Sequence, residues 1–362
     1  MYQDFGLFIA GNWERGATNS TVISPVTETP LGDVATATAA DTKRAIDAAA
    51  SASAPLSEMG GFARADALHR IADEMTVRAD QAARMISTET GKPLAQAGRE
   101  WVLSVDQFRW YAEEARRIYG RVVESRVPGG RFEITKEAVG IVGAFTAWNF
   151  PASLPARKIA PALAAGCPVV LRPSSQTPGV AMVMIDCIRA GGLPDGAVNL
   201  VVGSTADTYG PIMADARVRK VSLTGSTRVG QRMIRDAAET VKKVSMELGG
   251  NAPCIIFEDA DLDAALDACV PSKFGNAGQV CVTPDRFFVH DNLHDTFVAE
   301  FAKRAAALIL GDGLDNKTEM GPLINAGRMT EVDAIVQDAL RAGAKLETGG
   351  KRATGFNSGH FY

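Results

Sequence analysis

The stretch GNAGQVCVTP, from Gly275 to Pro284, sets one cysteine among small and flexible residues. A structural cysteine usually sits in an apolar run as a small hydrophobe. Cys281 instead has two glycines and an alanine ahead of it and a proline behind, so the backbone can come close to a ligand. Two other segments carry groups suited to work on a carbonyl. TAWNFP, 146–151, puts Trp148 and Asn149 directly after an apolar run. The Asn149 amide could donate to a developing oxyanion, although an asparagine ahead of Pro151 also suits a plain turn. SMELGGNAP, 245–253, places Glu247 at the end of a strand before two glycines. In apolar company its carboxyl would titrate high and suit a general base; the alternative is a surface glutamate in a loop.

Two further segments suit anions. In LTGSTRVG, 223–230, a strand ends, Gly225 turns, and Ser226 and Thr227 open a helix, whose free N–H groups make an anion site. The spacing is G-x-x-x-x-G. It is neither the dinucleotide G-x-G-x-x-G nor a P-loop, since Gln231 stands where a P-loop needs lysine. In LRPSSQTP, 171–178, Arg172, Ser174 and Ser175 follow an apolar strand, and ligands of open α/β sheets bind at such strand ends.

These groups need a scaffold. Leu68, Ile71, Ala72 and Met75 repeat at the spacing of a buried helix face, and TGKP at 90–93 reads as a helix stop. A second helix is expected from about Leu94 to Tyr119, with Trp101, Phe108 and Trp110 supplying bulk. RVVESRVPGGRFEITKEA, 121–138, is a hairpin signal around PGG, and a hairpin alone is barely stable in water. From Ile141 onward, apolar runs alternate with helix-length segments. IVGAFTAW, PVVLRP, VNLVVG, KVSLTG and KKVSMEL are expected to be parallel strands covered on both faces. A further α/β unit begins at PCIIFE. Its last helix shows Val332, Ile335, Val336 and Ala339 in register and ends near Gly343.

Bulk properties narrow the function. The 362 residues allow ~2 or 3 domains. The net charge is −4 with both signs mixed and no basic run, which argues against nucleic acid. No segment reaches the ~20 apolar residues of a membrane helix, and the first residues lack a basic, apolar leader pattern. The expectation is a cytoplasmic protein without membrane attachment. The five cysteines form no C-x-x-C pair and the four histidines have no ligand spacing, so neither disulfides nor a metal site is expected.

WNFP, GSTRVG, MELGGNAP and GNAGQVC, in that order, resemble signature motifs of the aldehyde dehydrogenase superfamily. The likeness runs from LFIAGNWERG to GHFY and looks most like succinate-semialdehyde dehydrogenases. It implies an α/β fold: a Rossmann-type parallel-sheet cofactor domain (1–117 and 139–247), an oligomerisation hairpin (118–138) and an α/β catalytic domain (248–362). It implies that Cys281 is the nucleophile, Asn149 the oxyanion-hole amide and Glu247 the general base. Trp148, Arg172, Ser174, Ser175, Gly203, Gly225, Ser226 and Leu248 fall at cofactor-contacting positions. The implied reaction oxidises an aldehyde to a carboxylic acid with NADP or NAD, in a homo-dimer or homo-tetramer.

Where NAD-preferring relatives often carry a glutamate, this chain has Ser175, and Arg172 replaces the usual lysine. Both changes suit a 2′-phosphate. Arg157 matches an arginine that holds the distal carboxylate of succinate semialdehyde, but the second such arginine is replaced by Gly275. Relatives continue beyond the position of Tyr362, so the sequence reads as C-terminally incomplete. A thiol esterase, and an inactive binding or structural protein, are the competing readings.

Overall fold

The structure is a computed structural model that describes Tyr2 and residues 5–362. Four short strands open the chain: β1 (Leu7–Ile9), β2 (Asn12–Glu14), β3 (Thr18–Ile23) and β4 (Pro30–Thr36). Four helices follow, α1 (Ala39–Glu58), α2 (Gly60–Val77), α3 (Ala79–Thr90) and α4 (Leu94–Ala115). A hairpin comes next, β5 (Arg121–Glu124) and β6 (Arg131–Ile134). Strands and helices then alternate through β7 (Ile141–Phe145), α5 (Ser153–Ala164), β8 (Val169–Arg172), α6 (Gly179–Arg189) and β9 (Val198–Leu200). A π-turn (Thr205–Tyr209) leads to α7 (Gly210–Ala214), β10 (Val218–Gly225), α8 (Thr227–Ala238) and β11 (Lys243–Leu248). The remainder holds β12 (Ala252–Ile256), α9 (Leu262–Phe274), a 3-10 turn (Gly275–Gly278), β13 (Pro284–Val289), α10 (Asp291–Ala306) and α11 (Ala326–Arg341).

Two compact units result. The first takes residues 1–21, 32–82 and 100–247; the second takes 22–31, 83–99 and 248–362. The short segments 22–31 and 83–99, expected with the cofactor part, therefore group with the C-terminal part.

The first unit is built on a seven-stranded sheet in the order β11-β10-β7-β8-β9-β1-β2. The strands β10, β7, β8 and β9 are parallel, and β1 runs antiparallel to β9 and β2. Their sequences explain this: IVGAF, VVL and VNL are apolar at every position but Gly143 and Asn199, and they are buried throughout. Helices α5 and α6 pack on these strands and on α2, while α1 packs on β7, β8 and α7. Thr38 and Asp41 form a capping box that starts α1. The chain lays β7, β8 and β9 side by side, then returns to place β10 on the other flank of β7. Sheets with such a reversal bind their ligands beyond the C-terminal ends of the two strands that flank it, here β7 and β10.

Three elements are less covered than their apolar content suggests, and the expectation that KKVSMEL is covered on both faces is corrected. Trp110 is 66 % exposed, whereas Trp101 and Phe108 are fully buried; helical periodicity puts residue 110 on the opposite side from 101 and 108. Most of β11 is exposed, because it is the sheet's edge strand. Helix α11 exists in the expected register, yet none of its residues is buried and Ile335 is 63 % exposed. The hairpin β5–β6 pairs antiparallel around Pro128–Gly129–Gly130 with every strand residue exposed.

In the second unit, β12 and β13 pair in parallel. A small core of Ile256, Leu266, Cys269 and Phe297 lies beside Cys254, Phe287 and Phe301. Elsewhere in this unit, chain segments cross so closely that only hydrogen fits at three positions. A Cβ on Gly321 would lie 1.9 Å from the Gly91 carbonyl oxygen, one on Gly313 2.2 Å from that of Lys92, and one on Gly91 2.6 Å from the Pro322 ring.

Trp101 joins α4 to α2 as well as filling space. Its indole N–H donates to the Met75 carbonyl at 2.7 Å, in the last turn of α2, where carbonyls lack helical partners. Trp101→Phe should lower unfolding free energy by about 1–3 kcal/mol, the cost of a stranded buried acceptor, in urea titration. An unchanged midpoint would contradict this account.

Candidate active site

In the first unit, the loop after β7 is held from several sides. Thr146 N–H donates to the Arg172 carbonyl at 3.2 Å, and the Thr177 hydroxyl donates to the Trp148 carbonyl at 3.4 Å. Helix α5 starts with Ala152 at the N-cap, which has no side chain able to cap. Glu100 of α4 supplies the missing acceptor: its Oε1 takes the N–H groups of Ala152 at 2.8 Å and Ser153 at 3.1 Å. Glu100 is buried, and a carboxylate there also complements the positive end of the helix. Trp148 and Asn149, both half-buried, sit in the short loop that these bonds fix.

Arg157 and Lys158 lie on the next turn of α5 with opposite fates. Arg157 is exposed on an otherwise buried stretch, and no hydrogen bond or ion pair to it is found among the described residues. Lys158 is buried, and its ammonium donates to the Ser222 hydroxyl on β10 at 2.9 Å. Burial pushes the Lys158 amine down to about 8, with the Glu247 charge acting upward and those of Lys220 and Arg157 downward. Glu247 itself is exposed on β11, so the apolar surroundings expected for it are not present. An edge strand leaves its side chain to water.

The strand ends carry the anion-type loops. Arg172 closes β8, half-buried, and donates to the Gly203 carbonyl at 3.3 Å; burial holds its guanidinium below the usual arginine range. Ser174 is buried and its hydroxyl accepts the Gln176 N–H at 3.2 Å, so it shapes the loop, while Ser175 is exposed. Gly203 is buried where a Cβ would press on the Ala37 carbonyl at 3.0 Å. Gly225 ends β10 and Ser226 caps α8 by accepting the Val229 N–H at 3.4 Å. Beside α8 lies a groove of roughly 670 Å³ lined by Thr205, Tyr209, Met213, Arg232, Asp236 and Thr240, among others. That volume lies in the range of small-molecule sites, ~300–1,000 Å³.

Cys281 and Leu248 belong to the second unit. Cys281 is exposed. The turn before it is strained, with Asn276 and Ala277 both left-handed at φ 51° and 54°. Gln279 over-determines it. Its side chain donates to the Asn276 carbonyl at 2.9 Å and accepts the Ile324 N–H at 3.1 Å, while Gln96 accepts the Asn276 N–H at 3.0 Å. A Cβ on Gly250 would make a tight contact with the Cys281 carbonyl oxygen, at 3.0 Å.

The first unit thus gathers Trp148, Asn149, Arg157, Arg172, Ser175, Gly225, Ser226 and Glu247 at or after the ends of its strands. Two participants escaped sequence reasoning. Lys158 carried a signal, a lysine in the apolar helix run that ends at Ala165. Glu100 carried none, because its partners lie 52 and 53 residues away.

Lys158 gives a pH signature. It titrates near 8 when folded and near 10.5 when unfolded. Between these values the unfolded chain binds more protons, so stability rises with pH, by about 3 kcal/mol over the full span. Below pH 8 both forms are protonated and the burial cost is complete. Urea unfolding of wild type and Lys158→Met from pH 7 to 10 should show a rise that is steeper in the wild type, the difference between the two curves being the Lys158 contribution. Parallel curves would refute it.

Comparison with known proteins places this geometry. The model of the aldehyde dehydrogenase family matches residues 13–362. A Sinorhizobium fredii protein named "Probable succinate-semialdehyde dehydrogenase [NADP(+)]" is 42% identical over 98% of this chain and 71% of its own length. A glutarate-semialdehyde dehydrogenase of Pseudomonas putida is 40% identical over 96% of this chain and 73% of its own. Among solved structures, succinate-semialdehyde dehydrogenase from Burkholderia pseudomallei superposes with a TM-score of 0.96 at 40% identity, covering 99% of this chain and 74% of the other. On its fold, its motifs and these matches, the chain belongs to the aldehyde dehydrogenase family.

Proposed function

We propose that the protein oxidises a small semialdehyde bearing a distal carboxylate, succinate semialdehyde or a close analogue, to the dicarboxylic acid, using NADP or NAD. The observation that carries the substrate side is Arg157, an exposed guanidinium without a partner among the described residues on an otherwise buried part of α5. Its fork suits a carboxylate. The names of the relatives, succinate- and glutarate-semialdehyde dehydrogenase, support the same class.

The first unit has features that fit a nicotinamide dinucleotide. The sheet reverses between β7 and β10, the N-terminus of α8 offers free N–H groups next to Ser226, and a groove runs beside that helix. Ser226 with the first turn of α8 would hold a phosphate, and Arg172 with Ser175 the ribose and its 2′ substituent. When bound, the nicotinamide supplies a hydride acceptor.

The chain's own groups do the rest in this reading. Cys281 sulfur attacks the aldehyde carbon and forms a C–S bond. The Asn149 amide and the Cys281 N–H stabilise the oxyanion. After loss of hydride the acyl group is held as a thioester on Cys281. Glu247, open to water, takes a proton from the water that attacks this thioester. The C–S bond breaks and the acid leaves. Exposure of Val122, Val123, Phe132 and Ile134 on the hairpin supports pairing of that element with a second copy in a dimer or tetramer.

Steady-state kinetics test the proposal. Wild type should reduce NADP with succinate semialdehyde, and Cys281→Ala should not. Arg157→Ala should raise KM at least tenfold for succinate semialdehyde and little for butanal, which lacks the carboxylate. Equal effects on both substrates would remove Arg157 from the site. Because neither Ser175 nor Arg172 repels a 2′-phosphate, kcat/KM should be at least as high with NADP as with NAD. A strong preference for NAD would overturn that part.

A further inference from the structure

Four cysteines lie outside the proposed chemistry. Cys167 and Cys187 are buried singly. Cys254 on β12 and Cys269 on α9 form a pair within the second unit, their Sγ atoms 3.7 Å apart. Both are free thiols: Cys254 is half-buried and Cys269 is buried in the core of Ile256, Leu266 and Phe297. A bonded S–S length is ~2.05 Å, so the two sulfurs already stand in van der Waals contact and need only a small approach.

We propose that Cys254 and Cys269 are an oxidation site for hydroperoxides, which convert the pair into a disulfide joining β12 to α9. Cys254 reacts first because it is the accessible member. Its sulfur attacks a peroxide oxygen, the O–O bond breaks, and the departing hydroxide takes up the thiol proton as water. Cys254 is then a sulfenic acid. Cys269 sulfur attacks the Cys254 sulfur, the S–O bond breaks, and the leaving hydroxide takes the Cys269 proton. The two sulfurs together lose two electrons, and hydrogen peroxide becomes two waters. Burial pushes the Cys269 thiol up to about 11, which makes it the less reactive member of the pair toward peroxide.

The bridge has a defined mechanical effect. Helix α9 ends at Phe274 and runs straight into the strained turn before Cys281. Fastening α9 to β12 closes a short loop, which disfavours the unfolded chain and stiffens the base of that turn. This inference does not rest on the proposed dehydrogenase activity, and its readout is chemical.

The test uses the full chain with Cys281→Ser, which removes the exposed competing thiol. The reduced protein is treated with hydrogen peroxide, alkylated, cleaved at acidic residues so that the two cysteines part, and analysed by mass spectrometry. The expected result is one cross-linked species joining Cys254 to Cys269, two hydrogens lighter than the reduced pair and reversed by dithiothreitol. The oxidised protein should melt several degrees higher. Adding either Cys254→Ser or Cys269→Ala should abolish both effects, and the second variant serves if the first does not fold. Full alkylation of both thiols after peroxide, a sulfinic acid at Cys254 without a bridge, or a bridge to another cysteine would each overturn the proposal.

Discussion

The carboxylate of Glu100 accepts two N–H groups at the start of α5, and much of the first unit depends on that contact. The N-cap of this helix is an alanine, so its first donors have no local acceptor. Left unmade, such bonds cost about 1–3 kcal/mol each in a buried setting. With Glu100 in place, the stretch from Thr146 to Ser153 is anchored at both ends: the parallel ladder of β7 holds one and the capped helix the other. Trp148 and Asn149 sit between the anchors. Arg157 and Lys158 ride on the same helix, one turn further on, so a single buried anion orients four side chains of contrasting chemistry.

The second unit solves its own positioning problem differently. Where the first uses a distant charge, the second uses local strain. Two successive left-handed residues would relax if left alone. Gln279 prevents this by bonding back to Asn276 and onward to Ile324, and Gln96 bonds Asn276 from a separate helix. The exposed sulfur of Cys281 therefore extends from a turn with little freedom.

Sequence patterning exposed the parts of this molecule that follow local rules. Strands β7, β8 and β9 are continuous apolar runs and could hardly be read otherwise. The capped start of α8 and the stop at Gly91 were equally plain, because Ser226 and a left-handed glycine act within a few residues of themselves. Spacing did not settle the burial of elements whose period was right. Helix α11 and strand β11 have the apolar spacing of buried elements, but spacing says only which residues share a face, not whether anything covers it. The surroundings of Glu247 are not legible for the same reason, since they depend on its place at a sheet edge. Glu100 and Lys158 lay beyond reach because their partners come from other elements, brought close only by the folded topology.

The crossing of Gly91, Gly313 and Gly321 sets a limit of another kind. At Gly313 and Gly321 one backbone rests directly on another, and even a methyl group would demand that a main chain move, while at Gly91 it would meet the Pro322 ring. Evolutionary drift elsewhere in the chain can be absorbed by neighbouring side chains that change rotamer. Here the neighbours are main chain and one stiff proline ring, so this small intersection has little mutational tolerance, and the spacing between residues 91, 313 and 321 acts as a fixed ruler along which the surrounding segments must be laid.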